Sequence, residues 1–177
     1  NKDIQGCINC MKQSHEKISF FLLVTIAILF SCSKSKTQAK TINCDGLITD
    51  TLSTNDSGRI YMPNAFTPNG DGLNDIIYPF AWNINSIEFT IYDEDNNIVF
   101  TTTQLHNVWQ PIPNPVVNTK YYYRIQATTT TNHKIGLCGD LYMLSCMPKN
   151  APVLYFEDQL SVNGFTVPTA EVLGTCP

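Results

Sequence analysis

The spacing that best suits metal chemistry lies in the stretch Met62–Asp75. Asn69, Asp71, Leu73 and Asp75 stand at every second position. In a coiled loop alternate residues converge on one centre, so two carboxylates, a carboxamide and the Leu73 carbonyl would meet there. Ca²⁺ is a hard cation that takes roughly six to eight oxygens, which makes it the one cofactor this spacing suggests. The glutamate that completes a Ca²⁺ loop of about twelve residues is missing. The same residues also suit an Asx-rich turn, whose side-chain oxygens accept nearby backbone N–H groups without a metal. Spacing alone leaves both open. Either way Pro63, Pro68, Gly70 and Gly72 restrict the backbone to a tightly specified corner.

Cysteine is the next source of chemistry. Cys7 and Cys10 form the chain's Cys-x-x-Cys, close to the start. With Cys32 assigned to the N-terminal segment below, Cys44, Cys138, Cys146 and Cys176 remain. An even set in a secreted chain reads as two disulfides, with three connectivities open. The expected pairing is Cys44–Cys138 with Cys146–Cys176, each pinning a tail to the domain. A four-cysteine zinc site would need paired short spacings, which these residues lack.

The remaining side chains point away from catalysis. After residue 32 the histidines are His106 and His133, and neither adjoins a recognisable Ser or Cys nucleophile motif. Asp93/Asp95 and Glu157/Asp158 fall in predicted turns or polar stretches, where carboxylates are ordinarily solvated. The chain therefore reads as non-enzymatic. Trp109, Tyr121, Tyr122, Tyr123 and Tyr142 would suit a sugar-stacking platform. Strand alternation hides about half of them, so they read instead as core and sheet-surface residues. A net charge of −4 gives no basic footprint, so nucleic acid is not an expected partner.

The N-terminal part reads as a processing segment. Residue 1 is Asn, whereas Met11 precedes Lys12, His15, Lys17 and an apolar run from Ile18 to Phe30. Met11 is read as the start and residues 1–10 as upstream read-through, which demotes the Cys7/Cys10 pair. The run is shorter than the roughly 20 residues of a membrane span and has the form of a signal peptide, residues 11–31. It ends Leu29-Phe30-Ser31-Cys32, which resembles the lipobox of bacterial lipoproteins. That resemblance implies a diacylated Cys32 and a membrane partner reached through the lipid. The anchor would draw on about 0.8 kcal/mol per buried methylene. Residues 32–57 then form a polar tether.

The corner itself carries a family resemblance. The segment Pro63–Ile77, PNAFTPNGDGLNDII, is similar to the opening signature of the gliding-motility-associated C-terminal domain, the type B sorting domain of type IX secretion cargo. Ser86–Thr103, Val108–Gln110, Asn118–Thr128 and Lys134–Leu144 follow in the family's order. The Asp93–Asn97 turn replaces the family's Asn-Arg-Trp-Gly, and Gln110-Pro111 replaces Asp-Gly after the tryptophan. The resemblance implies recognition by secretion machinery or another envelope protein, and a place in the cell envelope as an outer-membrane lipoprotein. About thirty residues, 148–177, follow the family's closing strand.

The elements that must position the corner read as strands. At 177 residues the chain can build one core, on a prior of about 150 residues per domain. Ile60–Met62 and Ile76–Tyr78 are expected as short strands flanking the corner. Ile87, Phe89 and Ile91 alternate with polar partners, and the turn Asp93–Asn97 returns the chain into Ile98–Thr101 as a hairpin. Tyr121, Tyr123, Ile125 and Ala127 share one face, opposite Tyr122, Arg124 and Gln126. A second hairpin brings Ile135, Leu137, Leu141 and Met143 beside them. Asn163-Gly164 predicts a last hairpin in the tail. No stretch shows a 3.6 period. The fold class is all-β, an Ig-like two-sheet β-sandwich over residues 58–147, with a disulfide-stapled C-terminal extension.

Overall fold

A computed structural model describes residues 41–51, 56–111 and 118–177. Cys32, the signal segment and the Cys7/Cys10 pair lie outside them. The described chain is nearly all β. Its strands are β1 (Arg59–Tyr61), β2 (Ala65–Phe66), β3 (Phe80–Trp82), β4 (Ile84–Tyr92), β5 (Ile98–Thr102), β6 (Thr119–Thr129), β7 (Lys134–Met143), β8 (Leu160–Ser161) and β9 (Gly164–Phe165). A single 3₁₀ turn, Glu157–Gln159, precedes β8.

Five strands form the main sheet in the order β2-β7-β6-β4-β5, antiparallel except for the parallel pair β2/β7. The opposing layer is much smaller, the antiparallel pair β1/β3. Ile60 and Ala81 turn inward from it onto Ile87, Phe89, Ile125 and Leu141. Alternation in β4 and β6 places those residues inside, since successive side chains of a strand point to opposite faces. Ile84 and Ile87 are three apart and would face opposite ways in a regular strand. A bulge between Ile84 and Ser86 adds the residue that brings both into the core.

One expectation needs correction. Ile76–Tyr78 is not a strand: Ile77 makes one isolated bridge with Trp109, and the partner of β1 lies beyond Pro79. Asn74 at φ 52° and Pro79, which has no N–H to donate, leave that segment too short to extend. Tyr122 lies on the face opposite Ile125 as expected, and is nevertheless only 2 % exposed. Lys120 lies 4.9 Å from its ring centre, and Asp140 is its register partner on β7.

The flank of β7 is closed by two different segments. At one end β2 pairs with Tyr142 and Met143. At the other, residues 44–50 run alongside. Asp50 donates its N–H to the Lys134 carbonyl at 3.0 Å, and Lys134 returns its N–H to Asp50 Oδ2 at 2.8 Å. Thr49 Oγ1 both donates to and accepts from the Gly136 backbone, at 3.1 and 3.0 Å. A Cβ on Gly136 would lie 2.9 Å from Leu47 Cβ, so this approach requires glycine. The Cys44–Cys138 disulfide, with 6.0 Å between the Cα atoms, clips the segment down.

The end of the tether is fixed through Asp56. Its carboxylate accepts hydrogen bonds from Thr131 Oγ1, from the Gly58 N–H at 2.8 Å and from Thr129 Oγ1 at 3.1 Å. His133 Nδ1 lies 2.7 Å from the same carboxylate. The His133 side chain is thus tied to a position 77 residues earlier. The Thr131 hydroxyl first and the Gly58 N–H second hold the Asp56 carboxyl down at about 2, against partial desolvation. A carboxylate whose folded pKa is depressed stabilises the fold above its ordinary range, near 3.9, and loses that effect as pH falls through about 2. Asp56→Asn is expected to melt below the wild type at neutral pH, the gap narrowing between about pH 4 and pH 2. Melting curves across that window check this; a pH-independent gap would contradict it.

Candidate functional site

The corner after β1 divides into a buried base and an exposed tip. Met62, Pro63, Ala65, Phe66, Thr67 and Pro68 are buried, whereas Asn69, Gly70, Asp71 and Gly72 face solvent. The base is anchored by β2: Tyr142 donates its N–H to the Asn64 carbonyl at 2.8 Å, and Leu144 donates to Phe66 at 2.9 Å. Phe66 sits against Trp109, ring centres 5.6 Å apart, and Trp109 meets Tyr121 edge-on at 5.0 Å. At the neck Thr67 donates its N–H to the Asn74 carbonyl at 2.8 Å, which closes the loop.

The tip is held by carboxylates on backbone donors. Asp75 receives the N–H groups of Gly70 and Gly72, one on each oxygen, both at 2.7 Å. Both glycines have positive φ, 83° and 88°, the conformation that aims these two N–H groups at one side chain. Asp71 Oδ1 accepts the Leu73 N–H at 2.8 Å, and Asn69 Oδ1 accepts the Asp71 N–H at 2.9 Å. The Leu73 carbonyl faces Thr67 Oγ1 at 3.4 Å. The four residues expected around Ca²⁺, Asn69, Asp71, Leu73 and Asp75, thus share one loop. Their oxygens meet hydrogen-bond donors of that loop, an arrangement that suits an Asx-closed turn and does not require a cation. Among the described residues no group of three or more His, Cys, Asp and Glu is placed to hold a metal.

The C-terminal extension covers this corner. Glu171 Oε2 accepts Thr67 Oγ1 at 2.7 Å and Asn74 Nδ2 at 3.1 Å. Asn74 Oδ1 in turn accepts the Asp158 N–H at 3.1 Å. Asn64 pairs twice with the tail: Tyr155 donates its N–H to Asn64 Oδ1 at 2.6 Å, and Asn64 Nδ2 donates to the Val153 carbonyl at 3.0 Å. Asp158 orders the rest by accepting Thr169 Oγ1 and the Ala170 N–H. The Cys146–Cys176 disulfide, spanning 30 residues, ties both ends of the extension together. Sequence reasoning missed Asn64, Thr67, Asn74 and Glu171. The polar types inside an otherwise apolar base were the available signal, because a buried polar group needs a partner.

A cavity of about 350 Å³ lies between the loop base and the tail, lined by Leu73, Asp75, Gln110, Glu157 and Asp158 among others. Tyr78 donates its hydroxyl to Glu157 Oε1 at 3.2 Å. Burial first, then the Glu157 charge, pushes the Tyr78 hydroxyl up to about 12. Burial likewise raises the Glu157 carboxyl, and the neighbouring Asp158 charge adds to this. Glu157 and Asp158 therefore hold Tyr78 and the tail, where the sequence suggested solvated carboxylates. Asp93 closes the β4–β5 turn by accepting the Asp95 and Asn97 N–H groups, both at 2.8 Å. His106 is exposed, in a left-handed conformation at φ 66°. His133 Nδ1 lies 3.3 Å from the Thr131 hydroxyl, which also donates to Asp56.

Residues 60–139 match the family model of the CHU_C Type IX secretion signal domain. Over that segment the chain is similar to the family. The match runs from β1 through most of β7 and includes the whole corner. No curated protein and no solved structure matches the chain. A type IX secretion signal domain implies a cell-envelope or secreted protein. In this chain the signal domain's opening corner is braced by residues outside the match, at 153–171, so domain and extension share one hydrogen-bonded unit.

Proposed function

We propose that the chain is a non-enzymatic, lipid-anchored cell-envelope protein, held at the outer membrane through Cys32, whose signal domain serves as an interaction module. The observation that carries the reading is the cover over the signature corner. Thr67 and Asn74 are bonded to Glu171, and Asn64 to Tyr155 and Val153, so the corner is built into a larger scaffold. The Leu29-Phe30-Ser31-Cys32 sequence supplies the anchor, and acyl chains at about 0.8 kcal/mol per methylene hold it to the membrane. An envelope protein or a component of the secretion machinery is the partner this reading favours.

Feeding cells labelled palmitate tests the anchor. The wild type is expected to take up label and sediment with membranes, whereas Cys32→Ala takes up none and moves to the soluble fraction. Equal labelling of the two would remove the anchor. A second reading, export of the chain by type IX machinery, draws on the family match over residues 60–139. The full chain fused to a fluorescent protein separates the two. Fluorescence that stays with the envelope supports the anchored module, and fluorescence in the medium that depends on the machinery supports export.

A further inference from the structure

The rings weighed as a sugar platform pack as core and sheet-surface residues: Tyr122 is buried, and Trp109 packs on Phe66 and Tyr121. A different aromatic row lies on the outer face of the β1/β3 sheet. Arg59 and Trp82 are register partners, as are Tyr61 and Phe80. With Ile60 and Ala81 turned into the core, alternation places these four outside. Ring centres follow one another from Tyr78 to Phe80 at 4.5 Å, to Trp82 at 6.4 Å and to Tyr61 at 5.6 Å. The row continues to Phe165 at 6.3 Å and Tyr155 at 5.1 Å.

The tail hairpin covers one end of this row and leaves the other open. Gly164 lies so close to Tyr61 that a Cβ there would be 3.2 Å from its Cε1. Trp82 at the open end remains 41 % exposed. Between it and Val162 at the hairpin tip lies a cavity of about 270 Å³, lined also by Ser57, Arg59, Tyr61 and Asn83. Asn83 donates its Nδ2 to Ser57 Oγ at 2.7 Å, and among the described residues the Ser57 hydroxyl hydrogen and Asn83 Oδ1 are left to meet a ligand. The Arg59 guanidinium makes no ion pair among the described residues and lines the same cleft.

We infer that this cleft binds a saccharide bearing a carboxylate, a uronic acid unit, with its C–H face on Trp82. An exposed indole beside a tyrosine edge offers a flat apolar surface, as sugar rings require. Ser57 and Asn83 supply one donor and one acceptor for hydroxyls, and Arg59 the planar fork that fits a carboxylate. An apolar site with a few convergent polar groups is the usual make-up of a small-ligand pocket. A nucleic acid strand would meet a chain of net charge −4 with a single cation at the cleft. An apolar peptide would leave Arg59, Ser57 and Asn83 without use.

Tryptophan fluorescence of the full chain, titrated with trigalacturonate and with cellotriose, tests the assignment. Trigalacturonate is expected to shift the emission saturably and cellotriose to bind at least about tenfold more weakly, the loss of a charge-assisted pair. Arg59→Gln should weaken trigalacturonate about tenfold while melting as the wild type does. Trp82→Ala should abolish binding in calorimetry. No binding of either sugar, or binding unchanged in both variants, overturns the site. Equal affinity for the two sugars overturns the carboxylate. A dimer that dissociates in Trp82→Ala would show a second copy as the occupant and overturn the saccharide.

Discussion

The double variant Cys44→Ser/Cys138→Ser is expected to lose about 4–5 kcal/mol of stability. The bond joins residues 94 apart, so it closes a long loop. In a chain-entropy treatment a loop of that length contributes about 4.7 kcal/mol, against about 3.6 kcal/mol for the 30-residue Cys146–Cys176 loop. Domains of this kind are stable by about 5–15 kcal/mol, so either loss is large. Hydrogen bonds along residues 45–50 cannot replace the cross-link. The Ile48–Gln126 pair at 2.9 and 3.0 Å and the Arg124 bond to the Asp45 carbonyl at 3.0 Å are exposed to water. Each is worth only about 1 kcal/mol net. Urea unfolding of both double variants checks the magnitude and the order. A loss below about 1 kcal/mol for Cys44/Cys138 would mean that the tether's own bonds suffice.

Phe66→Ala is expected to cost about 3–5 kcal/mol, the range for a buried aromatic truncated in a core. Phe66 is 0 % exposed and is the meeting point of the corner, the β2/β7 pair and Trp109. Removing its ring leaves Trp109 without the neighbour on one side, while Tyr121 still holds the other. Urea unfolding should show a lower midpoint with an unchanged slope, since the surface exposed on unfolding is nearly the same. A cost under about 1.5 kcal/mol would show that the site collapses around the missing ring.

The strands with one buried face were legible in the sequence. β4, β6 and β7 read correctly because Phe89, Ile91, Ile125, Ala127, Leu141 and Met143 keep a period of two. The brief second layer was harder to place. Ile76–Tyr78 is as apolar as Phe80–Trp82, and only the pairing across from β1 decides between them. Tyr122 keeps the face opposite Ile125 yet is buried there, with the Lys120 ammonium 4.9 Å from its ring centre. The corner was recognisable from its glycines and Asx residues, but its cover was not. Glu171 lies 104 residues from Thr67, and no local pattern announces such a contact. The outer aromatic row did leave a trace, since Tyr78, Phe80 and Trp82 alternate by two. Pro79 interrupts that period.

The two-part closure of the β7 flank bears on how copies of this protein can associate. Polymerising sheet assemblies grow because every added strand presents a fresh template at both borders. Here one border is blocked, by β2 over Tyr142–Met143 and by the clipped tether over Lys134–Cys138. Among the described residues β5 has a neighbour on one side only. A strand joining there finds no second template behind it. On the five-stranded sheet, among the described residues, pairing between copies through β5 therefore ends at two.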